Sequence, residues 1–184
     1  MNQYINQLLD WTPSSQLSGL PTISADQHRK GMRFFAMGVT LITSGDEQQR
    51  AGLTATAVCS VTAEPPRLVV FVNKNVQASE VILNTGALCV NLLADHQEQE
   101  ARVFAGMVDG VHGEARFNQG EWTRLVTGAP VLERALANLD CRVIKVFDES
   151  THHAFLCEVL ASREQPDAAA LIYLNGAFRQ LPLV

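Results

Sequence analysis

Basic residues are scarce in this 184-residue sequence: eleven Arg and three Lys, scattered with only Arg29 and Lys30 adjacent, stand against nineteen acidic residues, for a formal net charge of -5. With no basic stripe to neutralise a phosphate backbone, nucleic acid is not an expected partner. Long apolar runs are also missing. None approaches the roughly 18 residues that a membrane span needs, and the opening MNQYINQLLDWTPSSQLSGL has neither a cationic nor a continuous apolar region. The expectation is a cytoplasmic protein with no membrane association. No C-x-x-C spacing occurs, and Cys59, Cys89, Cys141 and Cys157 each stand inside an apolar, strand-like segment. That argues against a metal site and against a disulfide framework, and predicts four buried, reduced thiols. G-x-G-x-x-G, Walker A, G-x-S-x-G and H-E-x-x-H are absent as well, which removes the familiar dinucleotide, phosphoryl-transfer, serine-hydrolase and zincin signatures.

What is present is apolar patterning. Nearly half of the residues, 47%, are hydrophobic, enough for one compact domain with a sizeable core. Residues 1–22 read as an N-terminal arm, docked through Tyr4, Leu8, Leu9 and Trp11, ahead of a domain over 23–184. Ser24 and Gln27 form a capping box for a helix from 24 to 36, with His28, Met32, Phe35 and Ala36 on one face. Strand-like runs follow at 39–44 and 51–62, joined as a hairpin. After Pro65 and Pro66, residues 68–73 form a continuous apolar run expected at the sheet centre with both faces buried. A short helix over 78–83 and a strand over 87–93 come next. Asp95 and Glu98 then cap a helix that faces Ala101, Phe104 and Ala105 inward. Residues 106–130, glycine-bearing and with a lone Trp122, make a long irregular stretch of the kind that covers a site. Strands at 136–147, 152–163 and 170–174 precede an FRQL tail. Regular crossover helices are missing, so the fold class is mainly β with helical insertions, a largely antiparallel barrel.

The segment from Leu53 to Thr62 carries the clearest chemical pattern. Read as one strand, it alternates Leu53, Ala55, Ala57, Cys59 and Val61 with Thr54, Thr56, Ser60 and Thr62 on the other face. Short side chains let a flat ring approach a backbone, and hydroxyls with exposed N–H groups suit ring heteroatoms or a phosphate. An ordinary half-exposed strand, using threonine for its β-propensity, has the same pattern.

The run AGLTATAVCSVTAEPPRLVVFVN, with ALCVNLLA, FAG at 104–106, GAPVLERALANLDCRV and THHAFLCEV in that order, is similar to the short-chain flavin reductase family over roughly residues 27–181. That family includes the reductase component of 4-hydroxyphenylacetate 3-monooxygenase. The resemblance implies a split β-barrel with the flavin reductase-like, FMN-binding fold, usually a homodimer, that reduces FMN or FAD with NADH or NADPH. It implies supply of reduced flavin to a flavin-dependent monooxygenase that acts on an aromatic or heterocyclic substrate. Matched motif by motif, it places Thr54, Ala55, Thr56, Cys59, Ser60 and Val61 beside the flavin. Asn73, Asn75 and Ser79 fall at its ribityl or phosphate portion, Arg102 and Phe104 at phosphate and edge contacts, and Tyr173 at the pocket wall. The family's G-D-H motif falls on Ser150-Thr151-His152, which makes His152 the catalytic match near the nicotinamide. Two departures stand out: Thr56 replaces a frequent Asn, and Ser-Thr replaces Gly-Asp. His153, adjacent in the strand, points the other way and is expected at solvent or an interface. The alternative on the same fold is a non-catalytic flavin-binding or sensing protein.

Overall fold

The computed structural model of the protein describes residues 15–165 and 167–183. Tyr4, Leu8, Leu9 and Trp11, on which docking of the arm rested, lie outside the described residues. The chain divides into two units, residues 1–34 and 35–184. In the first, α1 (Ser15–Ser18) is followed by α2 (Ala25–Met32). The expected capping box forms: the Gln27 amide donates to Ser24 Oγ at 3.2 Å, and the Ser24 amide donates to Gln27 Oε1 at 3.0 Å. Two orphan donors of the first turn are thereby satisfied. The helix stops at Met32 rather than at 36, because Met37 and Gly38 enter a strand instead.

Among the described residues, the second unit holds twelve strands. They are β1 (Met37–Gly38), β2 (Thr40–Gly45), β3 (Arg50–Ala55), β4 (Val58–Thr62), β5 (Arg67–Asn73), β6 (Ala87–Leu92), β7 (Trp122–Arg124), β8 (Pro130–Leu132), β9 (Ala137–Glu149), β10 (His152–Glu164), β11 (Ala170–Leu174) and β12 (Ala177–Leu181). Helix α3 (Gln77–Thr85) separates β5 from β6, and α4 (Glu98–Phe104) follows β6. Seven strands form one antiparallel sheet in the order β3-β2-β6-β9-β10-β5-β4. Its edge strands β3 and β4 are consecutive in the chain, separated only by Thr56 and Ala57. The edges of a flat seven-stranded sheet would stand about 29 Å apart, while the three steps from Ala55 to Val58 reach about 11 Å. The sheet must therefore curl until its two edges meet at that crossing, which makes it a split barrel.

That crossing corrects the expectation of one strand over 51–62. Thr40 Oγ1 donates to the Ala55 carbonyl at 2.7 Å where the β2–β3 ladder ends. The Phe71 amide takes the Ala57 carbonyl two residues later. The chain thus passes from one edge of the sheet to the other, and the alternation of faces does not run through. Residues 68–73 are also not central. β5 is next to the edge, with Leu68, Val70 and Val72 buried and Phe71 on the opposite, exposed side. Like the short β8, β2 is buried throughout. Its Ile42 packs inside the barrel with Val70, Val90, Phe155 and Ile82. Leu41 belongs to a second core with Leu93, Phe104, Phe117 and Leu171.

That second core explains the irregular stretch. Phe104, Phe117 and Trp122 meet at ring separations of 4.9–5.6 Å, and the Trp122 indole donates to the Gln119 carbonyl. Trp122 is therefore a packing anchor. A Cβ on Gly52 would stand 2.8 Å from the Phe104 ring, so only glycine lets β3 pass this close to the aromatic cluster. In α4 the buried residues are Ala101, Val103 and Phe104, while Ala105 is exposed. The turn Asp95–Gln97 before α4 is capped by the Gln97 side chain on the Ala94 amide, not by Asp95. The FRQL tail lies in β12, paired with β11. Three cysteines are buried as expected, and burial pushes the Cys157 thiol up to about 12. Cys59 is exposed, since β4 is an edge strand.

Candidate functional site

Because β3 ends the sheet, one side of its backbone faces no strand, and clefts open along it. The first, of about 160 Å³, is lined by Val39, Thr54, Ala55, Thr56, Ala105, Met107, Tyr173 and Phe178. Short side chains make its floor, and two rings in edge contact at 5.4 Å, Tyr173 and Phe178, make its wall. Thr54 Oγ1 donates to the Ala101 carbonyl at 2.7 Å, tying this stretch of β3 to α4. Arg102 stands over the Phe178 ring at 5.2 Å, held by the Glu98 carboxylate. Thr56 also lines a second, apolar cleft of about 370 Å³ at the barrel mouth, with Thr40, Val58, Leu92 and Leu139.

A third cleft of about 270 Å³ opens beside Ala51 and Gly52, between the start of α3 (Asn75 to Ala78) and Gly113 and Arg116. Its electrostatics are one-sided. The cap position of α3 is Val76, whose side chain caps nothing. The Gln77 and Ala78 amides are first-turn donors with no intrahelical acceptor. Opposite them, Arg116 Nη1 reaches the Gly52 and Phe104 carbonyls only at 3.4 Å, and its buried Nε has no partner. A buried guanidinium N–H left unpaired costs free energy, and a donor set of this kind beside a helix N-terminus suits an anion.

The expected residues divide accordingly. Thr54, Ala55, Thr56 and Tyr173 come together in the first cleft, and Asn75 reaches the third. Asn73 stands behind Asn75, its Oδ1 accepting the Asn75 amide at 2.9 Å. Cys59, Ser60 and Val61 lie in β4 and border none of the three clefts; Val61 is exposed. Phe104 is a correction: its ring is buried in the second core and cannot touch a ligand. Ser79 is likewise buried, with its hydroxyl 2.9 Å from His153 Nδ1. His153 is half-buried, with its Nδ1 turned to α3. His152 opens β10 opposite Asn73, with Nδ1 2.8 Å from Thr151 Oγ1, and it borders none of the clefts. Sequence reading missed Arg116, Gln77, Met107 and Phe178. Arg116 sits in a segment without periodicity, so only its single charge marked it.

A sequence profile described as the flavin reductase-like domain matches residues 32–182. The chain belongs to the flavin reductase family. Among its relatives, the FMN reductase (NADH) RutF of Pseudomonas syringae pv. syringae is 39% identical over 173 residues, covering 93% of this chain and 96% of that protein. The flavin reductase component of a bacterial two-component tryptophan halogenase superposes with a TM-score of 0.79 at 29% identity, over 88% of this chain and all of that one. The NADH:FAD oxidoreductase of Streptomyces globisporus, solved with NAD and FAD fragments, gives 0.77 at 27% identity, over 87% and 96%. Among the described residues of this flavin reductase family member, no helix is long and apolar enough to cross a membrane.

Proposed function

We propose that this chain is an NAD(P)H:flavin oxidoreductase that reduces FMN in preference to FAD, with NADH as donor, and releases reduced flavin to a separate flavin-dependent monooxygenase. The observation that carries this reading is Arg116, whose buried Nε has no partner, in the wall of the cleft at the start of α3, beside a strand edge floored by small residues. That donor set fits a flavin phosphate, and the Thr54–Thr56 floor with its Tyr173 and Phe178 wall fits a flat ring. The naming of RutF as an FMN reductase using NADH supports the choice of cofactors.

The chemistry supplied by the bound flavin is acceptance of a hydride from the nicotinamide, so no protein nucleophile is required. The chain's own task is placement, which contributes up to about 7–11 kcal/mol when two reactants are held in register. Thr54, fixed to Ala101, keeps the strand edge rigid. Tyr173 and Phe178 exclude water from one side, with Arg102 and Glu98 bracing Phe178. Asn75, oriented by Asn73, and Arg116 hold the charged end. Because reduced flavin must leave, affinity near micromolar is expected, about 8 kcal/mol.

His152 is the proposed contact to the nicotinamide. Its ring is fixed through Thr151, and Nε2 has no partner among the described residues. Ser150, where the family pattern has glycine, sits at φ 46°, so the left-handed turn before the histidine persists despite the substitution. With FMN present the protein is expected to consume NADH, read as loss of nicotinamide absorbance. His152→Ala is expected to lower turnover at least tenfold with oxidised-flavin affinity unchanged. Flavin binding without NADH consumption by the parent protein would establish the sensing alternative, for which the missing Gly-Asp pair speaks.

A homodimer completes the proposal. Phe71 and Phe147 lie opposite Ala154 from either side, on β5 and β9, and share one face of the sheet. Both rings are exposed, an apolar patch of the kind a second copy covers. Light scattering is expected to give twice the chain mass, reverting to monomer in Phe71→Glu; a monomeric parent protein would overturn the dimer.

A further inference from the structure

We propose that His153 is a positioning residue for the anion-holding start of α3, acting through Ser79. The inference rests on the reading that this start takes a flavin phosphate. α3 has no side-chain cap, because Val76 occupies the cap position. Its first turn is held instead from beneath. Ala78 and Val81 pack on Ala51, and Ser79, 1% exposed, has its hydroxyl 2.9 Å from His153 Nδ1.

The surroundings make that bond matter. On the same side of β10, two residues on, Phe155 is fully buried in the apolar barrel interior with Ile82, Val70 and Val72. The His153 ring meets the Phe155 ring edge-on at 5.7 Å. In this seat a serine hydroxyl without a partner would be costly, and His153 is the group that the structure provides. Its backbone is fixed on both sides, paired with Val72 of β5 and Asp148 of β9. The rigid sheet therefore dictates where Ser79 sits. Ser79 is two residues from Gln77 and adjacent to Ala78, both of which line the cleft with Arg116. Loss of the His153 contact frees that turn to shift, and donor geometry toward a phosphate is sensitive to displacements well below an ångström. His152 and His153 thus divide the work by facing opposite ways from adjacent positions. One serves the nicotinamide side, and the other serves the phosphate end.

The test compares FMN with riboflavin, which lacks the phosphate, by fluorescence titration of the full chain, with folding checked by thermal melting. His153→Ala is expected to weaken FMN binding about tenfold, the effect of one buried hydrogen bond, with riboflavin unchanged. His153→Asn, which keeps a nitrogen or oxygen near the Nδ1 position, is expected to restore FMN affinity to within about twofold. Ser79→Ala is expected to reproduce the loss, and the double variant to add nothing. If Ser79→Ala weakens FMN while a folded His153→Ala does not, Ser79 is a direct ligand and the proposal fails. Equal weakening of FMN and riboflavin in His153→Ala also overturns it, as general damage to the fold. Should His153→Ala fail to fold, a folded His153→Asn that binds FMN no better than Ser79→Ala overturns it in the same way. A parent protein that binds the two flavins equally would instead overturn the phosphate reading beneath it.

Discussion

Arg116→Met is expected to weaken FMN binding about 10- to 140-fold while leaving riboflavin affinity within about twofold, and to leave the flavin-free protein at least as stable as the parent. The reasoning follows the atoms. Hydrogen bonds from a charged donor contribute about 1.5–3 kcal/mol, and each 1.4 kcal/mol is roughly tenfold in affinity. In the protein alone, Arg116 makes only two 3.4 Å contacts and leaves Nε buried without a partner. Methionine keeps the stem and removes that unpaired group, so stability has little to lose. A residue kept at a cost to the empty protein is one whose return comes on binding. Paired flavin titrations and urea unfolding check both halves. An unchanged FMN affinity would remove Arg116 from the site, and a large loss of stability would make it a structural residue.

Asn91→Ala is expected to destabilise the domain by about 3–5 kcal/mol, a large part of typical domain stability. Asn91 is fully buried on β6. Its Nδ2 donates to the Leu41 carbonyl and to Thr43 Oγ1, and its Oδ1 accepts from the Leu132 amide and from Asn138 Nδ2. One side chain thus pins β8 onto β2 and β9 on the face of the sheet that carries Leu41. Alanine would leave several of these groups unsatisfied at about 1–3 kcal/mol each. Urea unfolding gives the number, and a loss under about 1 kcal/mol would show that water or rearrangement replaces the network.

Much of the strand inventory was legible because apolar alternation is local. Residues 39–44, 87–93, 152–163 and 170–174 read as strands and are strands, within a residue or two at each end. The Ser24–Gln27 cap was legible for the same reason: its partners are three residues apart. What misled was the stretch 51–62, where local pattern continues through a point at which the chain changes neighbours. Propensity does not record that Ala55 is paired with β2 and Val58 with β5. The order of strands was hidden too, so the apolar run at 68–73 suggested the centre of the sheet, whereas its outward Phe71 is exposed. Phe104 and Ser79 show the same limit at the site. Both were placed at the flavin by the family resemblance, yet the structure turns one into an aromatic core and the other toward His153.

By itself the sequence determined the mostly β character, the positions of most elements and the family, since each depends on the order and periodicity of neighbouring residues. Only the tertiary structure decided which residues share a cleft. Thr54 and Tyr173 are 119 positions apart, and Gln77 and Arg116 are 39 apart. Their meeting depends on how the sheet curls until β3 stands free beside α3, a long-range property that no local pattern encodes.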